Sequence, residues 1–542
     1  MRAFAVKAER IPSAAQSGAG PLRGALPSWC RDLYWLALLP VLPVLITRFY
    51  YPVLVGNEAG KLLAARRILE PAFLGRDWLQ AASGDDVLYS AFSALVAPLW
   101  LLLKDAILVV LVGRLLVWAL LFYALARLAR TLEIDAYALA IGLAVWVFRF
   151  QSLGAGEWIF GGIEGKCVAY ALLFLAMESA LRKRVLAAAV YCGFSIWFHI
   201  LVGGWGALAL CGALLIGNRG FRWRRALQFC AIVGTFLLPL VVMFLHKTSD
   251  AQSSGSSGRA NRLIVLFRNP HHLDPDFFHG NVEFLLACLL TGITVFGLHM
   301  LVSQYKATLI SAFLVILLMQ FGAGLIARRL GLFWFLKSYP FRVADVLVGL
   351  LCWITAPMLA LWLLKWVVAP RFRALVSSVL LFGVGFVVLL NAAPAIEQHL
   401  GVFQSSWSRY LRHDESPWEE MTRWIRQNTP QSSILIAPPW EETFWVQAER
   451  AEVVNFKRAP HSLAILQWNQ RMMVLNGGPF HSRGDRVKDE LQQHYPELAP
   501  AAIDAVRRDY GADYYLNTKP RPEMSGQLVH ANGNYFLYQL HP

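Results

Sequence analysis

Charge is scarce in this chain, and the scarcity decides its class. Only 16% of the 542 residues are Asp, Glu, Lys or Arg, against 57% hydrophobic, and mean hydropathy is +0.46. A soluble domain carries roughly a quarter charged residues, so a purely soluble protein is excluded. Acids are scarcer than bases, 35 against 50, leaving a formal net charge of +15. The bases stand in short clusters between apolar runs, as membrane topology requires, so nucleic acid is not an expected partner. Cysteine is sparse too. The seven residues (Cys30, Cys167, Cys192, Cys211, Cys230, Cys288, Cys352) include no CxxC pair and no metal-ligand spacing, and they read as small core residues. No Asn-x-Ser/Thr sequon occurs, although long segments are expected outside, which points toward a bacterium. There is no internal repeat of the inverted-transporter kind, and the C-terminal region lacks a nucleophile elbow, a P-loop and a Rossmann fingerprint.

What is present is a series of apolar runs. A span needs about 20 apolar residues, and cytoplasmic ends are rich in Lys and Arg. Residues 1–33 are basic and therefore expected inside. The run Tyr34 to Phe49 has no small-residue cleavage site behind it and reads as an uncleaved anchor. Residues 51–105 then lie outside. The apolar stretch Tyr89 to Leu103 is expected there as an interfacial helix, because a span at that place would put Arg127 and Arg130 on the wrong side. The expected spans are 34–50, 106–127, 136–150, 166–181, 185–200, 202–217, 225–246, 283–301, 307–326, 344–364 and 374–393. That makes a polytopic α-helical membrane protein with about eleven transmembrane helices, its membrane domain covering residues 34–396. Further outer loops fall at 151–165, 247–282 and 327–343. The stretch "WFHILVGGWG" must contain a tight turn, favoured by Gly203-Gly204.

Residues 397–542 change character. Helical patterns ("PWEEMTRWIRQN", "LAILQWNQRMMVL", "AAIDAVRRDYG") alternate with strand patterns ("SILIAPP", "AEVVNFK", "ADYYLN") and a hairpin pattern around Asn-Gly in "QLVHANGNYFLYQL". This predicts a small α/β domain on the outer membrane surface.

Two segments carry a family resemblance. "NEAGKLLAARRILEP" sets an acid at the head of a helix ending in a basic, Leu-rich turn, and "WIRQNTPQSSILIAPP" sets a helix, Asn-Thr-Pro and an apolar strand in order. With the first span, the long first loop and the C-terminal α/β domain, they resemble the GT-C superfamily of membrane glycosyltransferases. The resemblance implies transfer of a sugar from a polyprenyl-phosphate donor to an acceptor outside the membrane, in a bacterial inner membrane with the N-terminus cytoplasmic and the C-terminus periplasmic. It implies that the first-loop acid, here Glu58, is the base or acceptor-orienting residue, and that a second acid comes from the next outer loop, here Glu164. Some members bind a divalent metal, so Mg²⁺ or Mn²⁺ is a candidate cofactor, although the sequence requires none. This chain departs from the commoner pattern: Asn57 rather than a second acid adjoins Glu58.

The residues allow these roles on their own chemistry. A carboxylate partly desolvated at the lipid edge can take a proton from an attacking hydroxyl; equally, Glu58 can simply favour the first turn of a helix capped by Asn57. Lys61, three residues on, either holds a donor phosphate or pairs with Glu58. In "RFQSLGAGEWIFGGIEGKCVAY", Glu157, Glu164 and Lys166 stand among glycines that admit a ligand closely; an interfacial turn with snorkelling charges is the plainer reading. His271, His272, Asp274, Asp276 and His279 cluster after a Ser/Gly linker, as acceptor or metal contacts if the segment curls, with Arg268 helping a phosphate; otherwise they form a surface loop. Arg328, Arg329, Lys337 and Arg342 lie on the side where positive charge is disfavoured, so they need an anionic partner. Arg342 and Lys337 suit a lipid-linked phosphate, and anionic headgroups are the alternative. His199 lies near the outer end of its span. The rival reading is a transporter or flippase of lipid-linked saccharide, or a non-catalytic scaffold of this fold.

Overall fold

The computed structural model describes residues 34, 39, 41–82, 86–148, 151–217, 223–248, 254–524 and 526–541. The basic N-terminal segment expected in the cytoplasm lies outside them.

The chain is mostly helical. In order it forms α1 (Leu42–Phe49), α2 (Gly56–Leu69), α3 (Trp78–Ala82), α4 (Asp86–Leu103), α5 (Ala106–Thr131), α6 (Ala136–Phe148), α7 (Gly165–Leu181), α8 (Val185–Phe198) and α9 (Ile200–Gly217). There follow α10 (Trp223–Thr248), α11 (Ser254–Arg262), α12 (Pro270–Leu273), α13 (Gly280–Leu301), α14 (Gln304–Arg329), α15 (Phe333–Leu336), α16 (Arg342–Val367) and α17 (Arg373–Arg412). Among the described residues six of them, α5, α9, α10, α13, α14 and α16, are long and apolar enough to cross a membrane, and these six coincide with six of the spans expected from the sequence. α6 and α8, with 13 and 14 residues, are apolar but shorter. The helices bury one stripe and leave the other apolar: Leu116, Leu208, Leu285 and Met319 are all more than half exposed, a surface that suits lipid and not water. The expected interfacial segment forms α4, which packs on α2 and α5.

The tight turn in "WFHILVGGWG" exists, one step earlier than the glycines suggest. α8 ends at Phe198, His199 alone is extended (φ −159°, ψ 99°), and α9 begins at Ile200. Gly203 serves packing instead of turning: a Cβ there would lie 2.2 Å from the backbone nitrogen of Ile196, so only glycine lets the two helices meet so closely behind one linking residue.

The two ends of the bundle differ. At one end, Glu178 accepts from Arg127 (3.0 Å) and pairs with Arg182 (2.7 Å), while Lys306 pairs with Glu133 (2.7 Å). These are the clusters expected inside. At the other end the four expected outer loops and the C-terminal domain converge. His272 bonds the Ala155 carbonyl, Asn269 donates to Tyr339 Oη, Trp205 donates to the Ser338 carbonyl, and Arg458 pairs with Asp77 (2.5 Å).

The C-terminal domain is α/β, as its patterns predict. It holds α18 (Pro417–Asn428), α19 (Phe444–Gln447), α20 (Ile465–Leu475), α21 (Arg486–His494) and α22 (Pro500–Tyr510). Its strands are β1 (Ile434–Ile436), β2 (Ala451–Glu452), β3 (Tyr514–Asn517), β4 (Gln527–Ala531) and β5 (Phe536–Gln539). The sheet order is β2-β1-β3-β5-β4, parallel at β2-β1-β3 and antiparallel from β3 onward. α18 starts on a capping box, Ser416 with Glu419, which closes two orphan donors and fixes where the domain begins. α21, absent from the sequence expectation, buries Val487 and Leu491.

Candidate functional site

Two buried acid–arginine assemblies lie side by side beneath the outer loops. The first belongs to Glu58, fully buried in the first turn of α2. Its Oε1 accepts from Arg114 Nε (2.8 Å) and from the Ile163 amide (2.9 Å), and its Oε2 accepts from Arg114 Nη2 (2.5 Å). Arg114 turns its remaining donors on the carbonyls of Phe49, Tyr51 and Val53. Gly162 makes this fit possible, because a Cβ there would lie 2.6 Å from Glu58 Oε1. The expected base is thus enclosed in an ion pair, its lone pairs directed at Arg114 and the loop backbone. As placed, Glu58 fixes the 160s loop and has no face toward an acceptor.

The second assembly centres on Glu157. Its Oε1 lies 2.6 Å from Arg342 Nη2 and its Oε2 lies 3.4 Å from Lys166 Nζ, which is also 3.6 Å from Glu164. Arg342 Nη1 donates to His199 Nε2 (3.1 Å), and its guanidinium lies 4.0 Å from the centre of the Tyr339 ring. Lys166 sits at the same distance, 4.0 Å, over Trp158. α16 holds this loop in place. Asp345, buried in its first turn, accepts from the amides of Leu153 (2.9 Å), Gly154 (2.8 Å) and Ala155 (3.0 Å), and more weakly from Glu157 (3.3 Å).

The short distances do not amount to saturation. Both oxygens of Glu157, Oε1 of Glu164 and Nε of Arg342 are buried without a well-directed hydrogen bond. Buried polar atoms left in this way are rare and costly, so they mark a place where the protein has prepared donors and acceptors for something else. Burial pushes the Glu157 carboxyl up, but Arg342 and Lys166 outweigh it and hold Glu157 far below the ordinary carboxylate range. Two cations, Arg342 and Lys166, thus meet two carboxylates, Glu157 and Glu164, and Lys457 of the C-terminal domain pairs with Glu442 (3.7 Å).

An apolar cleft of about 370 Å³ opens beside this cluster, lined by Ala91, Phe194, Trp197, Phe198, Thr235 and Phe236. Phe198 directly precedes His199, and its carbonyl lies against Gly165, the neighbour of Lys166. His199 and Lys166 are thus chain neighbours of the cleft's wall and of the glycine packed against it.

The remaining expected residues are placed as follows. Lys337 is half-buried at the end of α15, in the loop that leads through Tyr339 to Arg342. Arg268 is buried and docks the outer domain: it donates to the carbonyls of Phe456 (3.1 Å) and Lys457 (3.4 Å). Asp274 is fully buried between Arg328 (2.8 Å) and Arg483 (3.1 Å), and Arg328 also reaches Asp276 (2.9 Å). The anionic partners expected for Arg328 are thus Asp274 and Asp276. The His271 and His272 rings lie 4.1 Å apart, and His272 bonds the Ala155 carbonyl. Burial lowers both, His272 to about 3, so they stay neutral in the fold. Among the described residues no three His, Cys, Asp or Glu side chains gather as a metal site. With Asp274 committed to two arginines, the 270s segment does not fit the metal centre considered from its sequence.

Sequence reasoning missed Arg114 and Asp345. The signal was available: Arg114 is a lone ionisable residue within the apolar run "VLVGRLLV", and Asp345 stands one turn after Arg342 in "FRVADVLVG", and an ionisable residue in an apolar helix is a functional or structural flag by default.

Comparison with known proteins adds little. The family model described as Domain of unknown function (DUF6798) matches residues 416–475, which is α18 to α20 of the outer domain. No curated protein matches. Among solved structures, that of ArnT from Cupriavidus metallidurans bound to undecaprenyl phosphate is similar over 93% of this chain and 97% of that one, at 12% identity and a TM-score of 0.39. A likeness that loose lends no weight to any residue's role.

Proposed function

We propose that this chain is a membrane glycosyltransferase of the GT-C type, which takes a sugar from a polyprenyl-phosphate donor and transfers it at the loop-bearing face. The observation that carries the reading is the Glu157–Arg342–Lys166–Glu164 cluster, largely buried and incompletely bonded, with an apolar cleft walled by Phe198, the chain neighbour of His199. An apolar cleft with a buried arginine and lysine close by in the fold suits a long lipid ending in a phosphate.

In this reading the lipid lies along Phe194, Trp197 and Phe236. Its phosphate is held by Arg342 and Lys166, with Lys61 adding charge. Glu164 takes the role expected of Glu58, since one of its oxygens is uncommitted. The acceptor hydroxyl oxygen attacks the anomeric carbon, the carbon–oxygen bond to phosphate breaks with its electron pair leaving on the phosphate, and the hydroxyl proton passes to Glu164. One direct displacement inverts the anomeric centre. Arg342 and Lys166 act on the step that matters most, because charge grows on the departing phosphate. Glu157 stays ionised and keeps the two cations apart and aimed. No step runs through a metal.

The test uses purified full-length protein in nanodiscs. Undecaprenyl phosphate is expected to bind wild type, and Arg342→Ala to weaken it by about 100-fold, the loss of a bidentate charge-assisted contact. Lys166→Ala is expected to cost about tenfold. Equal binding by wild type and both variants would overturn the assignment.

A further inference from the structure

A second cleft, of about 980 Å³, lies between the third outer loop and the C-terminal domain. One wall is α11, which contributes Arg259 and Arg262. The facing wall is α20, which contributes Gln467, Asn469 and Gln470. Phe267 lies between them, packed on Trp468 and Phe480 with ring centres 6.2 and 5.4 Å away.

The chemistry of the two walls is complementary. Arg259 and Arg262 are three residues apart, so they share a helix face. Both are exposed, and among the described residues neither makes an ion pair; Arg262 rests over the Phe333 ring at 5.4 Å. No carboxylate lines the cleft. The opposite wall offers three carboxamides, each able to donate and accept at once, which is what a sugar hydroxyl needs. An aromatic floor suits the apolar face of a pyranose ring. The volume is at the upper end of what small-molecule sites enclose and admits several sugar units.

We propose that this cleft binds the saccharide portion of the acceptor, and that the acceptor carries a phosphate or carboxylate read by Arg259 and Arg262. The proposal rests on the transferase reading. Arg268, next to Phe267, holds the carbonyls of Phe456 and Lys457 and so fixes the C-terminal domain against the loop that walls the cleft.

Binding to the full-length protein in nanodiscs is measured with trigalacturonate and glucose 6-phosphate as anionic probes and maltotriose as the neutral control. Both anionic probes are expected to bind more tightly than maltotriose. Arg259→Ala with Arg262→Ala is expected to weaken the anionic probes by about tenfold or more and leave maltotriose unchanged. Arg259→Lys with Arg262→Lys keeps the charge and recovers part of the loss. Gln467→Ala with Gln470→Ala weakens all three probes. Anionic probes that bind no better than maltotriose, or that ignore the double alanine change, overturn the proposal. Undecaprenyl phosphate binding, measured in the same samples, stays at the wild-type value in these variants. Its absence from wild type would instead sink the transferase reading, so the two failures are told apart.

Discussion

Glu58 with Arg114 and Glu157 with Arg342 are the same pair of chemical groups, each acid almost wholly enclosed, and they differ in completeness. Every oxygen of Glu58 is met by a directed donor, and the donors of Arg114 reach three backbone carbonyls as well. Around Glu157 the distances are equally short, but the directions are wrong and four polar atoms are left over. A saturated pair has its bonding capacity spent on the protein. An unsaturated one keeps donors and acceptors that a ligand could use.

The comparison can be broken most forcefully at Arg114. Arg114→Ala strands a buried carboxylate and is expected to cost about 3–5 kcal/mol of stability, read as a large fall in thermal unfolding temperature in nanodiscs. Replacing both partners by apolar residues, Glu58→Leu with Arg114→Met, is expected to recover most of it. A Glu58→Gln protein that unfolds like wild type yet has lost transfer would return the base role to Glu58. Next in size, Glu164→Gln is expected to lower kcat by about 10²- to 10⁴-fold with little change in donor binding or in unfolding temperature.

The pH dependence of stability sharpens the same contrast at smaller amplitude. Burial lowers His272 from 6.5 to about 3, so the unfolded chain binds a proton that the folded chain refuses, and stability falls as pH drops from 6.5 toward 3. Burial, opposed by Arg458 and reinforced by Asp77, raises Glu452 from 4.5 to about 8, so its contribution falls as pH rises from 4.5 through 8. His272→Gln is expected to flatten the acidic limb of the stability profile and Glu452→Gln the alkaline limb. Exchanged effects would show the signs to be wrong.

Much of the architecture is legible in the sequence, because span length, loop charge and strand alternation are local properties. The six long apolar helices, α4, three helices of the C-terminal domain and its Asn-Gly hairpin all appear where those patterns predict them. The 157–166 and 342 neighbourhoods are legible too, as charges on the wrong side or among glycines. What could not be read is the pairing. Nothing near Glu58 in the sequence points to Arg114, 56 residues away, and nothing around His272 points to the Ala155 carbonyl. Whether a carboxylate is saturated depends on contacts between distant segments, and composition carries no trace of them.

Arg342 and Asp345 share the opening turn of α16. One holds the Glu157 side chain and the other holds the backbone beneath it. Because a helical turn is stiff, the spacing between guanidinium and carboxylate is set by a ruler three residues long, and a residue inserted between them would swing one grip round by about 100° relative to the other. Here the register of a single turn is a chemical specification.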